Sequence, residues 1–169
     1  IIQGDDIRTG VTAIIPHQGN IFRNKVPAAI FAGNGFGKLA GYTQVEELGN
    51  IETPIILTNT MSVAPALDAL ITYTLSQEGN DDIGSVNGVV GETNDGGLSN
   101  IRARVITPND VLDAINSASG THVEEGAVGA GTGTVCFGFK GGIGSSSRQF
   151  VLDGSTHHLG ILALTNFGR

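Results

Sequence analysis

Glycine recurs along this chain so often that few elements can run long, and no other feature constrains the fold as much. The 26 glycines among 169 residues are dispersed, not gathered into one tract. A flexible linker would concentrate them; dispersal implies tight turns and places where backbones come close together. Between the glycines lie short apolar runs. Hydrophobic residues make up 40% of the chain and charged residues 15%, a balance that supports a packed core and argues against disorder. Residues 1–169 are expected to form one domain.

Helical and extended patterns alternate through the first two thirds. "RTGVTAIIPH" (8–17), "VPAAIFAGNG" (26–35) and "ETPIILTNT" (52–60) read as strands that end in turn residues. "GYTQVEELGN" (41–50) reads as a short helix closed by Gly49. Val63, Ala66, Leu67, Leu70, Ile71 and Thr74 recur at helical spacing, with Asn59 or Thr60 as a cap and Gly79 as a stop. A second helix is expected over 107–120, with Thr107 as cap, Pro108 in the first turn and Asp110 well placed for the helix dipole. "VNGVVGETNDGG" (86–97) is a brief strand that opens into a loop at Glu92. The last segment reads as a hairpin turning at Asp153-Gly154, with a buried strand over Leu159 to Leu164. The class is mixed α+β.

Charge and composition exclude several functions. A net charge of −7 with nine scattered Lys and Arg supplies no basic face for nucleic acid. No apolar run approaches the roughly 20 residues of a membrane span. The one cysteine, Cys136, excludes an internal disulfide and a multi-cysteine metal site, and it reads as a buried structural thiol. His17, His122, His157 and His158 have no ligand partner at helical spacing, so no metal is expected. The neighbouring His157 and His158 would point to opposite faces of a strand.

Two glycine-rich segments resemble ligand motifs and fail the tests for them. Gly35-x-Gly37-x-x-Ala40 is a variant of the dinucleotide fingerprint, but no long helix follows and no acidic residue stands at the required distance. Lys38 is followed by Leu39, which excludes a P-loop. These glycines are expected to permit a tight turn or the close approach of another backbone. "GAGTG" (129–133) precedes a strand, not a helix, and reads as a structural loop. No organic cofactor is expected. The serines of "GSSSR" (144–148) read as turn residues. Glu92, flanked by Gly91, is a carboxylate where backbone can approach a ligand, and it suits a substrate ammonium group. Asn166, at the end of the last apolar run, can donate its amide to a developing oxyanion or cap a turn.

Taken in order, "RTGVTAIIP", "AGNGFGKLAG", "TPIILTNT", "GVVGETNDGG", "VEEGAVGAGTG", "FKGGIGSSSR" and "ALTNFG" resemble the L-aminopeptidase/D-esterase family, which includes the β-peptidyl aminopeptidases. The resemblance runs over essentially the whole chain and is most specific at "FKGGIG" and the final "NFG". It implies a four-layer α-β-β-α sandwich like that of the N-terminal-nucleophile hydrolases. It also implies a precursor that cuts itself, with 1–169 as the α chain and a separate β chain that begins with the nucleophilic serine or threonine. The abrupt start at Ile1-Ile2 and the stop at Arg169 fit that expectation.

By the same resemblance, Asn166 stabilises the oxyanion and Glu92 receives the substrate's amino group. Asn94 stands near where some members carry a pocket-lining aromatic residue, so a more open or polar pocket is expected. The implied partners are the β chain and a small peptide, amide or ester, in an oligomer of αβ pairs. The implied location is the cytoplasm, or the periplasm if a signal peptide has been removed. Two other readings remain open at this point: acyl transfer from an N-terminal threonine, as in ornithine acetyltransferases, and an inactive homologue that only binds.

Overall fold

The computed structural model describes residues 1–33 and 35–168. In chain order the strands are β1 (Ile2–Gln3), β2 (Ile7–Arg8), β3 (Thr12–Ile14), β4 (Val26–Pro27), β5 (Leu39–Ala40), β6 (Asn50–Ile51), β7 (Ile55–Asn59), β8 (Val89–Thr93), β9 (Val135–Cys136), β10 (Phe139–Lys140), β11 (Gly142–Leu152) and β12 (Ser155–Thr165). The helices are α1 (Tyr42–Leu48), α2 (Val63–Leu75) and α3 (Pro108–Asn116).

The central sheet has the order β3-β7-β8-β5. Its two middle strands run parallel, with Ile55 opposite Val89 and Asn59 opposite Thr93. A parallel pair needs a crossover, and α2 supplies it. The edge strands β3 and β5 are antiparallel to their neighbours. Alternation along β7 and β8 sends Ile56 and Val90 to the face covered by α2 and α3, where they meet Ala66, Ala69, Leu70, Val111 and Ile115. Ile56, Val90, Leu70 and Val111 are fully buried, each worth about 1.5–3 kcal/mol of transfer from water. On the opposite alternation Ile55 and Val89 pack with Val45 of α1 and Ile51 of β6.

The helices begin and end for identifiable reasons. In α3 a complete capping box forms: Asp110 donates its backbone N–H to the Thr107 hydroxyl, and its carboxylate accepts from the Thr107 N–H at 2.7 Å. α1 ends at Gly49 in the left-handed conformation, φ 64°, as expected. In α2 the N-cap is Ser62, not Asn59 or Thr60. The Asn59 side chain instead accepts from Met61 N–H at 3.0 Å. α2 also stops at Leu75, short of Gly79, because Asn80 Nδ2 donates to the Thr74 carbonyl at 2.6 Å and closes the last turn. Ile71 lies off the buried stripe, 39% exposed, and Ala69 takes its place. The expected strand over 26–35 shrinks to β4.

The hairpin is longer than expected and differently disposed. β11 and β12 pair over their full length from Gly142↔Thr165 to Leu152↔Ser155. Asp153 and Gly154 both have positive φ (50° and 78°), the geometry of a type I′ turn. The serines 145–147 lie in β11, not in a turn. The run from Leu159 to Leu164 is not buried: Leu159 is 54% and Ile161 58% exposed. A two-stranded ribbon packs only where something lies against it. Here that is its base, where Ile143 is buried and Gly126 pairs with it. Cys136 is half-buried, more accessible than its apolar neighbours suggested.

Candidate active site

Glu92 lies within β8, next to its last residue and opposite Thr58, not in the loop beyond the strand. Its alternation is that of Val90, so the side chain rises at the carboxyl end of the parallel pair, the end at which open α/β sheets commonly bind ligands. The side chain is only 5% exposed. Oε1 accepts from the Lys38 backbone N–H at 3.0 Å and lies 3.4 Å from Lys38 Nζ. Oε2 accepts from the Thr60 hydroxyl. β5 pairs Leu39 with Gly91, so one step further along the antiparallel ladder Lys38 faces Glu92 directly. Gly37 makes room for the carboxylate: a Cβ there would lie 2.9 Å from Glu92 Oε1. What comes close at Gly37 is therefore a side chain, not the backbone expected at the glycine motif.

Burial raises the Glu92 carboxyl toward neutrality. The Thr60 hydroxyl, the Lys38 amide and the Lys38 charge outweigh it and hold the group below the ordinary carboxylate range. Glu92 is consequently an anion throughout the neutral range.

Asn166 follows the end of β12 and is fixed from both sides of its amide. Oδ1 accepts from the Val135 N–H at 3.1 Å, and Nδ2 donates to the Asn94 carbonyl at 3.0 Å. A backbone N–H can only donate and a carbonyl can only accept, so these partners dictate which way the amide faces. The next residue is held as well: Phe137 N–H donates to the Phe167 carbonyl at 2.9 Å, and the two rings meet edge to face with centroids 4.9 Å apart. Asn94 itself is exposed, and its side chain accepts from Gly96 N–H at 2.9 Å in a local turn. The three residues expected to act together are thus joined: Asn166 to Asn94 by a hydrogen bond, and Asn94 to Glu92 through Thr93.

Four residues of this region escaped the sequence reading. Lys38 and Thr60 bind Glu92 only because of strand register. Val135 orients Asn166. Asp95 is 1% exposed beneath the same loop. Burial pushes its carboxyl up, opposed by hydrogen bonds from the Thr9 and Asn59 side chains. Gly133 explains part of that burial, since a Cβ there would lie 2.0 Å from the Arg8 carbonyl and 2.9 Å from Asp95 Cβ. This is a close approach that only glycine permits.

A cleft of about 830 Å³ lies elsewhere, between β3, the end of α3 and residues 117–124, and none of Glu92, Asn94 and Asn166 lines it. His17 and His122 do line it. The His17 ring is held by the carbonyls of Gln18 and Asn24, at 3.1 and 2.8 Å. Among the described residues no three His, Cys, Asp or Glu side chains gather as a metal site, and no helix is long and apolar enough to cross a membrane.

Comparison with known proteins gives this geometry a family. The β-peptidyl aminopeptidase BapA of Sphingosinicella microcystinivorans is 38% identical over 162 residues, which is 96% of this chain and 40% of that protein. The crystal structure of the PH0078 protein from Pyrococcus horikoshii OT3 superposes with a TM-score of 0.94 at 49% identity, covering 100% of this chain and 50% of that one. The L-aminopeptidase D-Ala-esterase/amidase of Ochrobactrum anthropi, described as a variant of the Ntn hydrolase fold, superposes with a TM-score of 0.88 at 28% identity, again over 100% of this chain and 50% of that one. The chain therefore spans 40 to 50% of the length of these relatives. Its mixed α+β fold is that Ntn hydrolase variant. The model of peptidase family S58 matches residues 1–169, and the chain belongs to that family.

Proposed function

We propose that this chain is the α part of a self-processed aminopeptidase, which releases amino-terminal residues from small peptides, amides or esters. The remaining part of the precursor supplies the nucleophile, an N-terminal serine or threonine created by the cut. Glu92 anchors the substrate's ammonium group, and Asn94 forms the rim between that anchor and the reacting centre. The nucleophile's oxygen attacks the scissile carbonyl. The hydroxyl proton passes to the nucleophile's own free α-amine and from there to the leaving group. The Asn166 amide donates to the oxyanion that forms, the amine or alcohol departs, and water then hydrolyses the ester intermediate.

The single observation that carries the reading is the Asn166–Asn94 hydrogen bond of 3.0 Å. It links the oxyanion candidate to the loop that leaves the strand of Glu92, which supports reading the amine anchor and the reacting carbonyl as parts of one site. An anionic Glu92 below a protonated substrate amine suits work near neutral pH.

The test is to replace Glu92 by Gln in the full-length matured protein and compare a free-amine substrate with its N-acetyl form. A charge-assisted bond is worth about 1.5–3 kcal/mol, so kcat/KM for the free amine should fall by about 10- to 150-fold. The acetylated substrate should be slow with either protein. Full activity of the variant on the free amine would overturn the assignment.

A further inference from the structure

We propose that Lys38 sets the charge preference of this site, favouring substrates whose first residue has an acidic side chain and disfavouring basic ones. The inference rests on Glu92 as the amine anchor and goes beyond it to the class of residue accepted. Lys38 reaches Glu92 twice, through its backbone N–H at 3.0 Å and through Nζ at 3.4 Å, both on Oε1. The backbone contact and the paired strand that follows it fix where the side chain starts. The side chain is 55% exposed within this chain while that of Glu92 is 5% exposed, so Lys38 is the open member of the ion pair, on whose side the proposal places the arriving substrate.

The charge count then decides the preference. Glu92 and Lys38 together are neutral, and the arriving ammonium leaves one net positive charge around the carboxylate. An acidic side chain on the same residue neutralises it; a basic one adds a further like charge. This holds whether the substrate displaces Nζ from Oε1 or binds beside it, because the backbone tether keeps the charge within one side-chain length. At about 8 Å and an effective dielectric of about 20–40, one unit charge alters binding by roughly 6- to 30-fold.

The experiment measures kcat/KM of the matured full-length protein for anilides of Asp, Ala and Lys, each with a free or an acetylated amine, in wild type, Lys38→Met and Lys38→Arg. Expected results are a wild-type order of Asp above Ala above Lys, an Asp-to-Lys ratio that shrinks in Lys38→Met by the product of the two single-charge effects, about 36- to 900-fold, and a ratio preserved in Lys38→Arg. Raised salt should narrow the wild-type ratio as well. An equal loss on all three substrates in Lys38→Met would reduce Lys38 to a support for Glu92 and overturn the proposal. So would an unchanged ratio. Turnover of acetylated substrates as fast as free ones would overturn the Glu92 anchor itself, and the proposal with it.

Discussion

Replacing Asn166 by alanine removes two hydrogen bonds and, with them, the proposed oxyanion donor, and the two losses are measured separately. The bonds are those to Val135 N–H at 3.1 Å and to the Asn94 carbonyl at 3.0 Å. At about 1 kcal/mol each, and less for the exposed bond to Asn94, the stability loss is at most about 2 kcal/mol, a matter of a few degrees in Tm. The transition-state loss is larger: an oxyanion donor is worth about 3 kcal/mol, or about 150-fold in kcat. The assay is turnover of a free-amine anilide by the full-length protein, with maturation followed on a denaturing gel. Unprocessed precursor should accumulate, since the proposed reading has the same donor serve the cut and the substrate. Asn166→Asp keeps an acceptor for Val135 N–H but no donor, so it should lose the rate while keeping more of the stability. A matured Asn166→Ala protein working within threefold of wild type, as roughly the spread of a remote substitution, would refute the donor role.

Other outcomes follow from neighbouring contacts. Gly37→Ala places a Cβ 2.9 Å from Glu92 Oε1, and the flexible carboxylate will yield before the backbone does. KM for free-amine substrates should rise with little change in Tm, as a titration of rate against substrate will show. Asp95 has a folded-state pKa raised by burial, so the stability it contributes is fully present below its unfolded pKa and is lost as pH rises through the folded value. Asp95→Asn should flatten the fall in Tm with rising pH over that window, which thermal melts across pH will check.

Much of the fold was legible because local signals agreed with tertiary need. The Thr107-Pro108-Asp110 start of α3, the Gly49 stop of α1 and the Asp153-Gly154 turn each carry their own stereochemistry, and all three stand where the pattern put them. The errors arose where a contact from far along the chain decided. Asn80 ends α2 before Gly79 can. Leu159 and Ile161 form an apolar run without burial, since nothing among the described residues lies against that length of ribbon. At the candidate site, Glu92 and Asn166 were put forward from their strand-end positions and from motif resemblance, and Asn94 from the resemblance alone. Lys38 and Thr60 were not, because no local pattern reveals that residues 38, 60 and 92 meet: that depends on the register of β5 and β7 against β8.

The central claim is that this chain works beside a second one made by cutting the same precursor. Intact-mass analysis of the full-length expressed protein under denaturing conditions tests it most directly. Two masses should appear, one for a chain containing these residues and one for a second chain whose first residue is serine or threonine. Together they should exceed the precursor by the mass of one water, because hydrolysis of the ester intermediate adds it. A single uncut mass in a preparation that hydrolyses free-amine substrates at full rate would contradict the claim.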